Sequence, residues 1–378
     1  MTIDRNSPIP LYFQLRGQLK KMIDSGEFAD GQPLPTEQVL CEKFGLSRYT
    51  VRQALGDLVK DGYLVKVQGK GTFVQRTSKP VTTPTLGLVV PYTTDFFTSQ
   101  IIQGVERVAR NAGYNLIFSN SNNHPEQEDT IISKLKADGV KGFVLFPCEN
   151  TVYSSVVAEL ISEGYPVVLV DREFKTLDCP CVVSNNEAGA EMAVNHLVSL
   201  GHRRIGLVMT SFSQTSSVQE RLLGYRTALA KHRIPWEDSF LLTYTPKLFD
   251  AIDDTADHTA VVRQHLSSRH RPTAIFAVND FVALDVLRSA AAVGLTVPRD
   301  LAVVGFDDIP IAGGLPTPLS TVAQSKIRIG ETAASMLLDI INGRPLESRK
   351  VILPVRLVVR QSCGGGVVRK TGVVENSV

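Results

Sequence analysis

Apolar residues near the N-terminus fall at helical spacing. Leu11, Leu15, Leu19, Met22 and Ile23 share one face and predict a first amphipathic helix. The stretch "GEFADGQPLPTEQ" ends it with Gly and Pro. Thr36 is placed to cap a second short helix that turns Val39, Leu40 and Phe44 inward. Gly45 ends that helix and supplies a tight turn, and Ser47 caps a third helix. There Val51, Ala54, Leu55 and Leu58 form a stripe to be buried. The opposite side presents Tyr49, Arg52, Gln53 and Gly56, with Arg48 at the N-terminal edge. Two β-type runs, "YLVKV" and "TFVQ", then flank "QGKG" and predict a hairpin. Gly69 and Gly71 permit positive φ in its loop, and Lys70 sits at its tip.

The pattern changes after "QRTSKPVTTPT", a polar stretch with two prolines and no period. Residues 1–75 are therefore expected to form one domain and 76–85 a linker. Beyond it, "LGLVVP", "YNLIFSN", "GFVLFP", "PVVLVD", "RIGLVM", "TAIFAVND" and "LAVVGFDD" are short continuous apolar runs. Helical patterns lie between them at about 98–112, 126–137, 152–163, 187–199, 217–231 and 279–292. Such alternation means α/β structure with parallel sheets covered on both faces. The strands are too many for one doubly wound unit, so 86–362 is expected to form two lobes. Residues 363–378, with three consecutive glycines, are expected to be a disordered tail.

Charge adds a location. The net charge of +2 hides a division: residues 1–80 carry 12 Lys and Arg against 8 Asp and Glu, and 40–79 carry 8 against 3. A positive N-terminal module suits nucleic acid, although a solvated basic face would have the same composition. No apolar run approaches the ~20 residues of a membrane span. The N-terminus lacks an apolar secretory core, so a cytoplasmic location is expected, without membrane association. The five cysteines are odd in number and irregularly spaced, as in a reduced compartment. Cys179-Pro-Cys181 reads as a metal or redox pair or as a plain strand edge. No second pair or nearby His completes a site, so no metal or cofactor is expected. There is no P-loop, G-x-S-x-G or HExxH motif, which argues against an enzyme.

The residue chemistry sharpens this. Arg and Gln read guanine and adenine edges in the major groove, and a helix N-terminus suits phosphate. A helix-turn-helix followed by a basic wing is more specific than either part alone. The remaining reading of such a unit is a winged helix that docks protein. In the long α/β part, Asp171 and Arg172, Asn279 and Asp280, and Asp307 and Asp308 stand at strand ends, where parallel sheets bind ligands. "TSFSQTSS" (210–217) is a Ser/Thr-rich loop after a strand, suited to a cleft mouth.

Residues 8–74 resemble the winged helix-turn-helix of the GntR family of bacterial transcription regulators, most clearly in "LPTEQ", "LSRYTVRQAL", "DGYL" and "QGKGTFV". The resemblance implies that the second and third helices enter the major groove and the wing the minor groove. Arg48 and Arg52 match the family's base- and phosphate-contacting arginines. Ser47, Tyr49 and Thr50 match the start of its recognition helix, and Gln68, Gly69 and Lys70 its wing tip. Thr36, Gln38 and Gln53 complete the candidate DNA contacts. Gln38 stands where the family often has Arg, which puts that contact in doubt.

About 85–362 resembles the effector domain of the LacI/GalR family, in "PVVLVDR", "HLVSLGHRRIGLVM", "QERLLGYRTAL", "PTAIFAVNDFVALDVLRSAAAVGLTVPRDLAVVGFDDIP" and "PLSTV". That implies a type I periplasmic-binding-protein fold: two Rossmann-like lobes joined by three crossover strands, with sugar in the cleft. Matched by position, Asp171, Arg221, Asn279 and Asp307 are the sugar-hydroxyl contacts. Asp95, Phe96, Phe97, Arg172 and Ser184 are further candidates. The bland readings stay open beside these. Asp307 could be a turn carboxylate capping a helix, Arg221 a surface residue paired with Glu220 or Glu191, Asn279 an N-cap, and Phe96 and Phe97 core. The family's own DNA-binding headpiece is absent, so the whole chain resembles hybrid regulators of the arabinose-repressor type. The expected function is a homodimeric, ligand-responsive transcription regulator. It would bind a double-stranded operator, repress carbohydrate-utilisation genes and be released by a sugar. A solute-binding protein of a transport system is the alternative.

Overall fold

A computed structural model describes residues 3–5, 7, 9–75, 83–93, 95–148, 155–211, 214–245 and 257–365, and divides the chain into units at Met1–Thr83 and Pro84–Val378. Residues 76–82 of the expected linker and 366–378 of the expected tail lie outside the described residues.

The first unit holds α1 (Leu11–Asp24), α2 (Glu37–Phe44), α3 (Arg48–Lys60), β1 (Leu64–Val67) and β2 (Gly71–Val74). Leu15, Leu19 and Ile23 of α1 meet Leu40 of α2 and Val51, Ala54, Leu55 and Leu58 of α3 in one core, closed by Leu64 and Val74 of the hairpin. The hairpin is antiparallel, and Pro33 bridges to Phe73 on its outer edge. Val39 is a correction: it is 47% exposed, because α2 is two turns long and turns Leu40 inward. Its neighbour, 100° away, faces out.

The second unit runs β3 (Thr85–Val90), α4 (Phe96–Asn111), β4 (Asn115–Asn120), α5 (Pro125–Ala137), β5 (Phe143–Leu145), α6 (Ser155–Ser162), β6 (Val167–Val170) and β7 (Cys181–Ser184). It continues with α7 (Asn186–Ser199), β8 (Ile205–Thr210), α8 (Ser216–Lys231), β9 (Leu241–Tyr244), α9 (Ala260–Ser267), β10 (Ala274–Ala277) and α10 (Asp280–Ala292). It ends with β11 (Ala302–Asp307), α11 (Pro310–Gly314), β12 (Ser320–Ala323), α12 (Lys326–Ile341), β13 (Lys350–Leu353) and β14 (Arg356–Val358). The strands form two six-stranded sheets, ordered β13-β7-β6-β5-β3-β4 and β14-β12-β11-β10-β8-β9. Every pairing is parallel except β12 with β14. The chain passes between the sheets after β7, after β12 and after β13, as three crossovers require.

The sequence boundaries shift at both ends. Thr85, expected in the linker, opens β3, where it pairs with Asn115. Cys363, expected in the tail, is 2% exposed within the second lobe's core, held by Ser320 and His196. Cys181 begins β7, and burial pushes the Cys179 and Cys181 thiols up to about 12, which opposes thiolate chemistry.

Both lobes depend on close helix pairs. A Cβ on Gly104 of α4 would lie 2.2 Å from the Ile327 carbonyl of α12, and one on Gly330 would lie 2.2 Å from the Ile101 carbonyl. Those atoms are backbone and cannot swing aside. Gly104→Ala is therefore expected to force the helices apart and destabilise the unit by about 2–4 kcal/mol, read in a denaturant titration. An unchanged midpoint would show that the helix pair tolerates the separation.

Candidate effector cleft and nucleic-acid interface

In the first unit, α2 and α3 owe their angle to small local devices. Thr36 Oγ1 accepts from Val39 N at 3.4 Å, and Gly45, at φ 64°, closes α2. Ser47 Oγ then accepts from Thr50 N at 3.2 Å and lies 2.8 Å from Thr50 Oγ1. Burial of the α3 stripe leaves Arg48, Tyr49, Arg52 and Gln53 outward, with Tyr49 77% exposed. Glu37 of α2 accepts from Arg52 Nε at 2.7 Å and lies 3.9 Å from Lys66 of β1, so one carboxylate ties both helices to the wing. Gln38 is exposed and donates to Glu42 at 3.3 Å. Gln68, Gly69 and Lys70 are exposed at the wing tip, with Gly69 at φ 76° and Gly71 at φ 120°. The exposed candidates are thus Thr36, Gln38, Ser47, Arg48, Tyr49, Arg52, Gln53 and the wing tip. Thr50 is half-buried, with its hydroxyl against Ser47.

In the second unit, the carboxyl ends of both sheets meet around a cleft of about 1180 Å³. Tyr92, Phe146, Asp171 and Arg172 follow strands of the first lobe, and Asp95 and Phe97 open α4. Thr210, Asn279 and Asp307 come from strand ends of the second lobe, with Ser217 and Arg221 from α8. Two acids sit in backbone that L-residues rarely adopt: Asp171 at φ 65° and Asp307 at φ 117°. Asp171 is 5% exposed, and its Oδ1 has no hydrogen-bond partner among the described residues. Arg172 donates to Pro147 O at 2.7 Å and lies 4.8 Å over the Phe146 ring. Asp95 caps α4 through Thr98 N at 2.5 Å and Thr98 Oγ1 at 3.0 Å.

Arg221 is no surface residue. It is 5% exposed, donates to Asn186 Oδ1 at 2.9 Å and Val278 O at 2.7 Å, stacks 3.8 Å over Phe306 and lies 3.7 Å from Asp307. Asn279 lines the cleft and also caps α10, accepting from Val282 N at 2.8 Å, so capping and exposure to ligand coexist. Asp307 caps no helix, and accepts from Gln324 Nε2 at 2.6 Å. Phe97 serves the core and the wall together, edge-on to Phe146 at 6.0 Å. Phe96 and Ser184 are not brought to the cleft wall. Phe96 is 49% exposed in α4's first turn, and Ser184 is buried at the end of β7.

Burial pushes Asp307 up to about 6, against the pull of Arg221 and Lys326. It raises Asp171 as well, opposed by Arg172 and Arg221, and raises Asp95. Such carboxylates favour a ligand that brings hydroxyl donors, because each O–H···O⁻ bond restores solvation lost on burial. Gln324 was missed in the sequence. It stands at the second crossover, 7% exposed, with its Oε1 unpartnered among the described residues. Tyr92 and Phe146 were missed too, although their position just after apolar runs was a usable signal. Outside its polar centre the opening continues along Leu284, Leu287 and Ala291 of α10 to Ile311 and Leu315, an apolar stretch of different chemistry. Among the described residues, no cluster of His, Cys, Asp or Glu could hold a metal ion, and no helix is long and apolar enough to cross a membrane.

Comparisons with known proteins agree with both halves. Residues 11–74 match the bacterial regulatory proteins of the gntR family, and residues 194–363 match the periplasmic binding protein-like domain. The arabinose metabolism transcriptional repressor of Geobacillus stearothermophilus is 32% identical over 95% of this chain and 99% of its own. The crystal structure of a putative ribose operon repressor from Burkholderia thailandensis superposes with a TM-score of 0.65 at 27% identity, covering 73% of this chain and 99% of that one. A LacI family regulator from Enterococcus faecium with bound ribose gives 0.62 at 26% identity, over 74% and 98%. The end-to-end match is to a regulator, which sets aside the transport reading. This chain belongs to the family of transcription repressors, typified by the arabinose metabolism repressor, that join a gntR-type DNA-binding unit to a periplasmic-binding-protein-like effector unit.

Proposed function

We propose that this repressor controls carbohydrate-utilisation genes and leaves its operator when a sugar fills the cleft between its lobes. The observation that carries this is the convergence of Asp171, Arg221, Asn279 and Asp307 on one space, walled by Tyr92, Phe97 and Phe146. Acids, an amide and a guanidinium bond neighbouring hydroxyls in pairs, and an aromatic ring packs on the apolar face of a sugar ring. The ribose-bound relative and the arabinose-repressor match favour a pentose. On the DNA side, Arg48, Tyr49, Arg52 and Gln53 read the major groove, Thr36, Gln38, Ser47 and Thr50 support that contact, and Gln68, Gly69 and Lys70 enter the minor groove.

The protein acts as a cytoplasmic homodimer, paired through the effector units and presenting two winged helices to a pseudo-palindrome. Ile117 and Phe118, adjacent on the edge strand β4 and 41% and 54% exposed, support a partner there. Closure of the lobes on sugar couples the sites by a differential affinity of about 1–3 kcal/mol. Thermal melts with L-arabinose, D-ribose and D-xylulose, followed by operator binding with and without the pentose that raises the melting temperature, test the reading. A stabilising pentose is expected to weaken operator binding about 5- to 150-fold. A pentose that binds without changing operator affinity would remove the coupling. Silence from all three would remove the pentose.

A further inference from the structure

Behind the cleft, and not on its wall, a buried acid holds the turn that presents Asp307. Asp280 is 0% exposed at the start of α10. Its Oδ2 accepts from Ile309 N at 2.9 Å, and its Oδ1 accepts from Thr321 Oγ1 at 2.6 Å. Thr321 Oγ1 accepts in turn from Asp308 N at 3.3 Å. Both backbone amides that follow Asp307 are therefore bound, directly or through Thr321, to one carboxylate. The turn needs this restraint, because Asp307 sits at φ 117° and Asp308 at φ 54°, where a side chain is strained. Gly305 of β11 leaves room for the arrangement: a Cβ there would lie 2.2 Å from Asp280 Oδ1. A side chain at that position would push the carboxylate out of this placement.

We propose that Asp280, acting through Thr321, is a positioning residue that locks the Asp307–Asp308 turn and so sets effector affinity without touching the effector. This rests on the reading of Asp307 as an effector contact. The arrangement asks a buried acid to sit beside Asp307 and Asp308, and burial with those neighbours pushes Asp280 up to about 8. An acid kept at such a cost marks a site where geometry outweighs stability.

Three variants test it: Thr321→Val, which keeps shape and removes the hydroxyl; Thr321→Ser, which keeps the hydroxyl; and Asp280→Ala. Hydrogen exchange on peptides spanning 306–312 reads the turn, and titration with L-arabinose and D-ribose reads the cleft. Operator binding without sugar reads the rest of the fold. Thr321→Val and Asp280→Ala are expected to speed exchange at Asp308 and Ile309 and to weaken the bound pentose, each by about 10-fold or more. Operator affinity is expected to stay as in the wild type, and Thr321→Ser to restore both lost properties. Unchanged exchange in Thr321→Val, or exchange that quickens while the pentose binds as before, would overturn the proposal. So would a Thr321→Ser variant as impaired as Thr321→Val. Should Asp280→Ala fail to fold, the Thr321 pair decides alone. Should the wild type bind neither pentose, the pentose reading fails, and the lock stands or falls on exchange.

Discussion

Arg52→Ala is expected to weaken operator binding by about 30- to 10⁴-fold while leaving effector affinity within about twofold. A guanidinium paired with a base edge contributes about 1–3 kcal/mol of discrimination, and the proposed symmetric dimer presents two, so the expected loss is about 2–6 kcal/mol. Folding is expected to be spared. The stripe that holds α3 in place is Val51, Ala54, Leu55 and Leu58, on the other side of the helix. The lost pair with Glu37 is exposed, with 67% of the Arg52 side chain in solvent, and such pairs contribute at most about 1 kcal/mol. Fluorescence anisotropy on a labelled operator, beside a melting curve, makes the measurement. Undiminished operator affinity would mean that Arg52 faces solvent in the complex. A fall in melting temperature matching the fall in affinity would mean that the Glu37 tie is structural.

Asp307→Ala is expected to do the reverse, lowering effector affinity by about 30- to 5,000-fold with operator binding intact. The range follows from the cost of removing one partner from a buried, hydrogen-bonded charged contact, about 2–5 kcal/mol. Arg221 is not orphaned, because Asn186 and Val278 still accept from it. The same acid also predicts a pH dependence. Its folded value, about 6, lies above the ordinary carboxylate range, so folding favours the protonated form. Its contribution to stability is complete below about 4 and is lost as pH rises through about 6. At pH 8 the ionised group then burdens the free protein by about 2–3 kcal/mol. Asp307→Asn, which keeps the shape and removes the charge, is expected to melt higher than the wild type at pH 8, with a smaller gain at pH 5. In the proposed contact the ionised Asp307 accepts effector hydroxyls, so wild-type affinity is expected to fall as pH drops below about 6. A wild-type titration flat between pH 5 and 8, or a lower melting temperature for Asp307→Asn at pH 8, would show that Asp307 is ionised and satisfied without ligand.

The two sites were not equally legible. The winged helix is built from contacts close in sequence. The α3 stripe, the Ser47 cap and the Gly45 turn are all local, and each appears where the spacing put it. Val39 escaped because an eight-residue helix offers too few turns for periodicity to separate neighbouring positions. In the long unit, the strands legible in the sequence are continuous apolar runs, buried on both faces except in the edge strand β4, where Phe118 is 54% exposed. The short strands β9, β13 and β14 gave no such run. The 16-residue α12, on "KIRIGETAASMLLDII", was passed over after the "PLSTV" resemblance, although its apolar face is periodic. Asp171, Arg172, Asn279 and Asp307, at strand ends, reach the cleft, whereas Phe96 and Ser184, candidates through the family resemblance alone, do not line it. A residue one position from a cap or a crossover faces the cleft, the core or solvent according to packing that no single strand encodes.

By itself, the sequence determined the division into a basic reader and an α/β sensor, because charge balance and hydrophobic period are properties of the chain. It also determined the local caps and turns, and which acids and amides stand at strand ends. Only the tertiary structure decided what those groups face. Arg221 lies among Asn186, Val278, Phe306 and Asp307, residues between 35 and 86 positions away, and its chemistry follows from that company. The positive φ of Asp171 and Asp307 is equally invisible in a one-letter code that elsewhere reserves such backbone for glycine. The acid that holds Asp307 in place comes from the start of α10, in part through a threonine on β12. Burial sets the strength of each charge, and burial is a property of the assembled sheets.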